Sequence, residues 1–431
     1  MNQQLRSKLQ MLNSRVRRLY GLPKSFKKVE VCANPIFVIG SYRSGTTFFG
    51  WSLSHHSWLW TSGESTLITE IFDQAGVESV ERARERAVKT GEGSWLYDQD
   101  VEQRELLAHL GTGINALYTS RSRGRRWVEH TPGHTLLVDV IADLFPRAVF
   151  LHLLRDGRQV VHSMTNFANA LSDERRRTLE RADWSMPWPD FETACATWRD
   201  SVETAMRFAS FEPNRCLTVL HSRLVSEPWR AYRDVFRFLG IPFEQGPIGF
   251  CRATRINSSF PGAEPRTYSN PWPDWSKEQR RTFVRVAGRT LVRCGLATWD
   301  ELEFETYDEL VERVRQVGCS EAPSEATVLV ASGGDERLVA LKGRNAWHFP
   351  RSQDGHHSGH HPGDGAEAVR HLEELRVRGG EFLLFPRTSL WWLDHYKEMQ
   401  SHLDERYERV VDDPSTCVMF ALNGFSKEPA H

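Results

Sequence analysis

The sequence predicts an α/β protein: a parallel, phosphate-loop-type sheet flanked by helices over residues 34–316 and a small α/β accessory domain over 325–425, preceded by a basic segment, 1–33. Three observations carry this reading. Short apolar runs alternate with longer helical stretches between residues 34 and 315, and the first of these runs opens onto a glycine and hydroxyl loop. A second alternating pattern then follows a linker-like stretch, Val317–Ser324, containing Gly318, Ser320 and Pro323.

The β-branched run Ile36-Phe37-Val38-Ile39 reads as a buried strand. Gly40 and Gly45 allow close backbone approach, and the helix after Gly45 offers unpaired N–H groups and the positive end of its dipole to an anion. A phosphorylated ligand is expected there. Arg126–Pro132 reads as a strand ended by proline, His134–Phe145 as a helix, and Ala148–Leu154 as a strand buried on both faces that delivers Arg155-Asp156-Gly157-Arg158 to its carboxyl end. Cys216–Leu220 is a further strand, and Pro228 opens a helix that ends near Gly240. In the second domain Thr327–Ala331, Arg337–Leu341 and Glu381–Phe385 read as strands, Ala366–Arg378 and Leu390–Leu403 as helices, and Val410-Val411 with Cys417–Ala421 complete the sheet.

A chain of 431 residues with 40% hydrophobic and 26% charged content has ample core for two domains. Its formal net charge of -1 gives no global attraction to nucleic acid or anionic membrane, so an anion site must be local. Seven cysteines without C-x-x-C pairs suggest neither a disulfide framework nor a zinc cluster, and point to reduced cytosolic thiols. No apolar stretch approaches eighteen residues, and no secretory leader follows the first methionine, so a cytoplasmic protein is expected.

The loop lacks one residue of nucleotide hydrolases. Those carry a lysine after the second glycine, where this chain has Thr46; its nearest cation is Arg43, upstream. Arg43-Ser44-Gly45-Thr46-Thr47 resembles the 5′-phosphosulfate loop of sulfotransferases that use 3′-phosphoadenosine-5′-phosphosulfate. Arg155, with Ser163 eight residues later, resembles the 3′-phosphate motif of the same family. The Val219–Pro228 and Phe238–Pro242 stretches resemble its late strand and helix, with His221, Ser222 and Arg223 where a Tyr-Glu-Asp is usual. The resemblance covers about residues 34–300, is similar to bacterial and tyrosylprotein-type members, and implies the sulfotransferase fold and that donor as co-substrate, with no metal.

Sulfuryl transfer needs a donor cradle, charge stabilisation on the leaving oxygen and a base for the incoming hydroxyl. The resemblance implies that Ser44, Gly45, Thr46 and Thr47 cradle the 5′-phosphate and that Arg155 and Ser163 hold the 3′-phosphate. Arg43 is able to meet both phosphate and leaving oxygen. Gly63-Glu64, twenty-one residues beyond Arg43, matches the family's catalytic glutamate, and partial burial would suit it to that role. His130, before Thr131-Pro132, is the rival base. Arg255 and Ser258 lie in a stretch resembling the family's nucleotide-covering loop. The aromatic Trp184–Trp188 run suggests an acceptor-pocket lining. His356, His357, His360 and His361 fall among Gly355, Gly359 and Pro362, which favours a histidine-rich loop over a metal site.

Glu381–Pro386 followed by Leu390–Tyr396, with paired tryptophans, resembles a module found beside bacterial glycosyltransferases and related glycan-modifying enzymes. It tilts the acceptor toward a saccharide or glycosylated metabolite. The expectation is therefore a sulfotransferase acting on an acceptor hydroxyl. The alternatives are a P-loop kinase and a non-catalytic nucleotide- or glycan-binding module.

Overall fold

The computed structural model of the chain describes residues 30–72, 101–167, 190–253 and 270–423. Most of the basic N-terminal segment, the Trp184–Trp188 run, Arg255 and Ser258 lie outside the described residues. The first sheet has the order β2-β3-β1-β4-β5 and is parallel throughout. Its strands are β1 (Ile36–Ile39), β2 (Leu59–Trp60), β3 (Arg126–Glu129), β4 (Val149–Leu154) and β5 (Cys216–Leu220). Between them run helices α1 (Thr46–Leu53), α2 (Leu67–Ile71), α3 (Gln103–Arg121), α4 (Val138–Leu144), α5 (Gly157–Thr165) and α6 (Phe191–Phe211). After β5 come α7 (His221–Ser226) and α8 (Pro228–Leu239), the latter closed by Gly240 at φ 66°.

β1 sits between β3 and β4, which is why its four residues are all apolar and buried. Alternate side chains feed opposite layers. Phe37 and Ile39 join Trp127, Phe145 and Phe150 on one face, while Ile36 and Val38 join Phe49, Leu151 and Tyr232 on the other. Phe37 packs edge-on against Trp127 at 5.5 Å and stacks on Phe150 at 5.7 Å; truncating so buried a ring costs about 3–5 kcal/mol. This two-sided core fixes the carboxyl ends of β1 and β4 side by side, in the register Ile39 to His152.

The second sheet, order β7-β6-β8-β10-β9, comprises β6 (Thr327–Val330), β7 (Asn345–His348), β8 (Phe382–Pro386), β9 (Glu408–Asp413) and β10 (Cys417–Ala421). β6 pairs parallel with β7 and β8, and β10 pairs antiparallel with β8 and β9. Three details depart from the sequence expectation. The helix α9 (Tyr307–Glu321) places Leu310, Val311 and Val314 in the second domain's core, so Val317–Ser324 is largely a helix tail and the domain boundary falls earlier. Residues 337–341 form no strand but a turn over 336–339, because it is Asn345–His348 that pairs with Thr327–Val330. The expected helix 390–403 is broken at Tyr396 (φ -94°, ψ 80°) into Trp391–His395 and Lys397–Arg406. Glu305, whose side chain is wholly buried, bonds Arg313 of α9 and lies 3.9 Å from Arg387.

Candidate active site

The loop from β1 to α1 is held in a left-handed conformation at Arg43 (φ 64°) and Gly45 (φ 101°). A side chain at Gly45 would be strained by that φ and would crowd the buried His221 ring at 3.2 Å. A Cβ at Gly40 would come within 2.7 Å of the Leu153 carbonyl, so β4 passes too close for any other residue. Inside this turn the hydroxyls of Ser41 and Ser44 are buried and have no hydrogen-bond partner among the described residues. Buried donors without acceptors are costly, and here they line a loop at a helix N-terminus.

The two motifs meet in space. Arg155 leaves β4 and donates from Nη1 to the Arg43 carbonyl at 2.9 Å, while its Nε donates to Gln159 at 3.1 Å. Arg43 donates from Nε to the Ser163 hydroxyl on α5 at 3.3 Å, and its guanidinium lies 4.3 Å from the Phe167 ring centroid. Burial, then the neighbouring Arg155 charge, lowers the Arg43 pKa to about 10, against the opposing pull of Glu64. Two cations crowded at a half-buried loop create a local positive field that favours an anion. Asp156 caps α5, accepting the Arg158 N–H at 2.9 Å, and Trp198 anchors the turn by donating from Nε1 to the Arg155 carbonyl at 3.1 Å.

Glu64 faces this loop from the strap between β2 and α2, where its carboxylate accepts a hydrogen bond from the Thr47 hydroxyl. It is exposed, without the partial burial that would suit it to the role of base. Its charge raises the pKa of Tyr42, after burial as the larger cause. His130 stands differently. Its ring is wholly buried beneath α1, where a Cβ on Gly50 would clash with it at 2.1 Å, and neither ring nitrogen has a partner among the described residues. Burial lowers its pKa to about 4. Of the two candidate bases, only Glu64 bonds a residue of the donor loop among the described contacts.

Sequence reasoning passed over the polar residues behind the strap. Glu129 is buried at 1% exposure and accepts from the His130 N–H at 2.9 Å, the Thr131 N–H at 3.0 Å and the Thr131 hydroxyl at 2.6 Å. Burial pushes its pKa up to about 7 even though those donors pull it down. Tyr118 donates to the Ser65 hydroxyl at 2.6 Å. The Glu-His-Thr-Pro motif was the available signal, but it drew attention only to its histidine.

Residues 35–245 match the model of the sulfotransferase family. The matched stretch is just under half of the chain. Protein-tyrosine sulfotransferase 1 of Danio rerio is 26% identical over 216 residues, covering 49% of this chain and 55% of the relative. Protein-tyrosine sulfotransferase 2 of Gallus gallus is 25% identical over 209 residues, covering 48% and 51%. The chain thus spans about half the length of these curated relatives. A solved sulfotransferase from Alicyclobacillus acidocaldarius is 15% identical with a TM-score of 0.35, covering 61% of this chain and 96% of its own.

The family match ends before the second domain. There His357 accepts the Gly359 N–H at 3.1 Å, His361 packs edge-on against Trp391 and Trp392, and Trp392 is core. Among the described residues no three His, Cys, Asp or Glu side chains are arranged to hold a metal ion, and no helix is long and apolar enough to cross a membrane.

Proposed function

We propose that the sulfotransferase-family domain moves a sulfuryl group from 3′-phosphoadenosine-5′-phosphosulfate to an acceptor hydroxyl. One observation carries the reading: Arg43, Arg155 and Ser163 converge at a half-buried loop whose Ser41 and Ser44 hydroxyls have no partner among the described residues, and Glu64 bonds Thr47 at the end of that loop. Ser44–Thr47 and Arg43 are assigned to the 5′-phosphosulfate, Arg155 and Ser163 to the 3′-phosphate, and Arg255, outside the described residues, to the donor's phosphates. The acceptor oxygen bonds to sulfur as the bond from sulfur to the bridging phosphate oxygen breaks. The hydroxyl proton passes to Glu64, and the electron pair stays on the phosphate facing Arg43. The products are a sulfate ester and 3′-phosphoadenosine-5′-phosphate.

The acceptor is proposed to carry its hydroxyl on a ring. Trp51 is 41% exposed, and its ring lies 3.7 Å from where a Cβ on Gly63 would be, so a flat apolar face borders the strap that holds Glu64. The matched relatives are named for protein tyrosine, whereas the saccharide reading rests on the resemblance of the second domain. A cytosolic setting is part of the proposal, supported by seven free cysteines.

Labelled donor assayed against tyrosine peptides, simple phenols and saccharides tests the reading. Glu64→Ala is expected to lower turnover about 10²- to 10⁴-fold and to leave affinity for 3′-phosphoadenosine-5′-phosphate nearly unchanged. Full activity overturns the base assignment, and a wild-type protein that ignores this nucleotide in calorimetry overturns the function.

A further inference from the structure

The donor loop and the Glu64 strap belong to separate connections of the sheet, yet one short segment bonds to both. At one end Thr131, 6% exposed, accepts the Ser65 N–H at 2.8 Å and donates its hydroxyl to Glu129 at 2.6 Å. At the other end Thr135, wholly buried, accepts the Gly40 N–H at 2.8 Å and donates to the Gly40 carbonyl at 2.9 Å. Between them a Cβ on Gly133 would meet the Tyr42 hydroxyl at 2.8 Å, so the tyrosine of the donor loop rests on this glycine. The span is stiff. Pro132–Leu137 is a 3₁₀ turn with proline in its first turn, and His134 N–H donates to the Thr131 carbonyl at 3.1 Å.

We propose that Thr131 and Thr135 are positioning residues that set the distance between base and donor, with Glu129 as the anchor that orients Thr131. The inference rests on the reading of Glu64 as base. Thr131 grips the residue next to Glu64, and Thr135 grips the first residue of the donor loop. The rigid turn from Thr131 to Thr135 therefore determines how far the carboxylate stands from the loop. Small misplacements of reacting groups cost large factors in rate, so such a brace acts on turnover more than on nucleotide affinity.

The test measures steady-state kinetics, nucleotide affinity and amide hydrogen exchange on the full chain. Thr131→Ala is expected to lower kcat about 10- to 100-fold with affinity for 3′-phosphoadenosine-5′-phosphate unchanged, and Thr131→Ser to recover most of that loss. Because Thr131 acts through Glu64, Thr131→Ala combined with Glu64→Ala is expected to lose no more than Glu64→Ala alone. Exchange at the Ser65 amide rises in Thr131→Ala, and at the Gly40 amide in Thr135→Ala. Additive losses in the double variant, or unchanged Ser65 protection in Thr131→Ala, overturn the proposal. Full activity of Glu64→Ala removes the base reading instead, and the brace is then judged by exchange alone.

Discussion

At the carboxyl edge of the first sheet, the turn after β1 gathers Arg43, Arg155 and Ser163 around two buried hydroxyls that bond to nothing among the described residues. The turn after β6 in the second sheet uses its polar groups on its own neighbours. Ser332 pairs with His348 Nδ1 at 2.6 Å and accepts the Gly334 N–H at 3.2 Å, while Asp335 is held by Tyr307 at 2.6 Å and by Arg337. Both turns follow a buried parallel strand and both contain left-handed glycine. The difference teaches where a ligand is needed. Unpaired buried donors and crowded like charges destabilise a free loop, and a bound anion relieves both, whereas a turn with satisfied polar groups gains little from one.

The largest effect that would sharpen this contrast is on turnover. Arg43→Ala is expected to lower sulfuryl transfer about 10²- to 10³-fold and to weaken nucleotide binding, because the proposed mechanism uses it as the donor to the leaving oxygen. Ser332→Ala is expected to leave both nearly unchanged; an equal loss in both variants, seen in the same assay and calorimetry, would break the distinction.

Acid separates the domains next. His130, His134, His152 and His221 are buried in the first domain with pKa values lowered to about 4, 3, 4 and 3, burial being the main cause in each. Their folded values lie below the ordinary 6.5, so the unfolded chain binds more protons below that pH. Their contribution is complete above about pH 6.5 and is lost as pH falls through the folded values. Glu129 acts in the opposite sense, its raised value costing stability as pH climbs toward about 7, but it is one group against four. Hydrogen exchange during acid titration is expected to open β1, β4 and β5 before β6 and β8; simultaneous opening would refute the contrast.

The smallest effect lies in the glycines. Gly45→Ala meets both a φ of 101° and the His221 ring at 3.2 Å, whereas Gly333→Ala, at φ 59°, meets nothing within 4 Å. The second is expected to cost about 1–2 kcal/mol and the first more, measured as denaturant midpoints.

Much of the site was legible because it is local. A strand, a turn needing two glycines and a helix N-terminus are specified within Ile36–Leu53, and Arg155 and Ser163 fall on one strand and the following helix. Glu64 was legible by its distance from Arg43, yet its exposure was not, since nothing in Gly63-Glu64 says which side of the strap faces water. The burial of His130 was hidden for the same reason. Its burial depends on Gly50, which lies eighty residues away and leaves room for the ring. The boundary at α9 was hidden because an amphipathic helix shows an apolar face without showing which sheet will cover it.

By itself the sequence determined the chemistry available at each strand end: an arginine in a glycine turn, a second arginine and serine on the next motif, and a carboxylate within reach. Those choices are written in residues a few positions apart, where backbone geometry alone relates them. Only the tertiary structure decided that Arg155 braces the Arg43 carbonyl, that His130 is sealed beneath α1, and that Thr131 and Thr135 join the base strap to the donor loop. Hydrogen bonds and burial of that kind depend on which strands become neighbours, and the order of strands in a sheet follows from packing of the whole core.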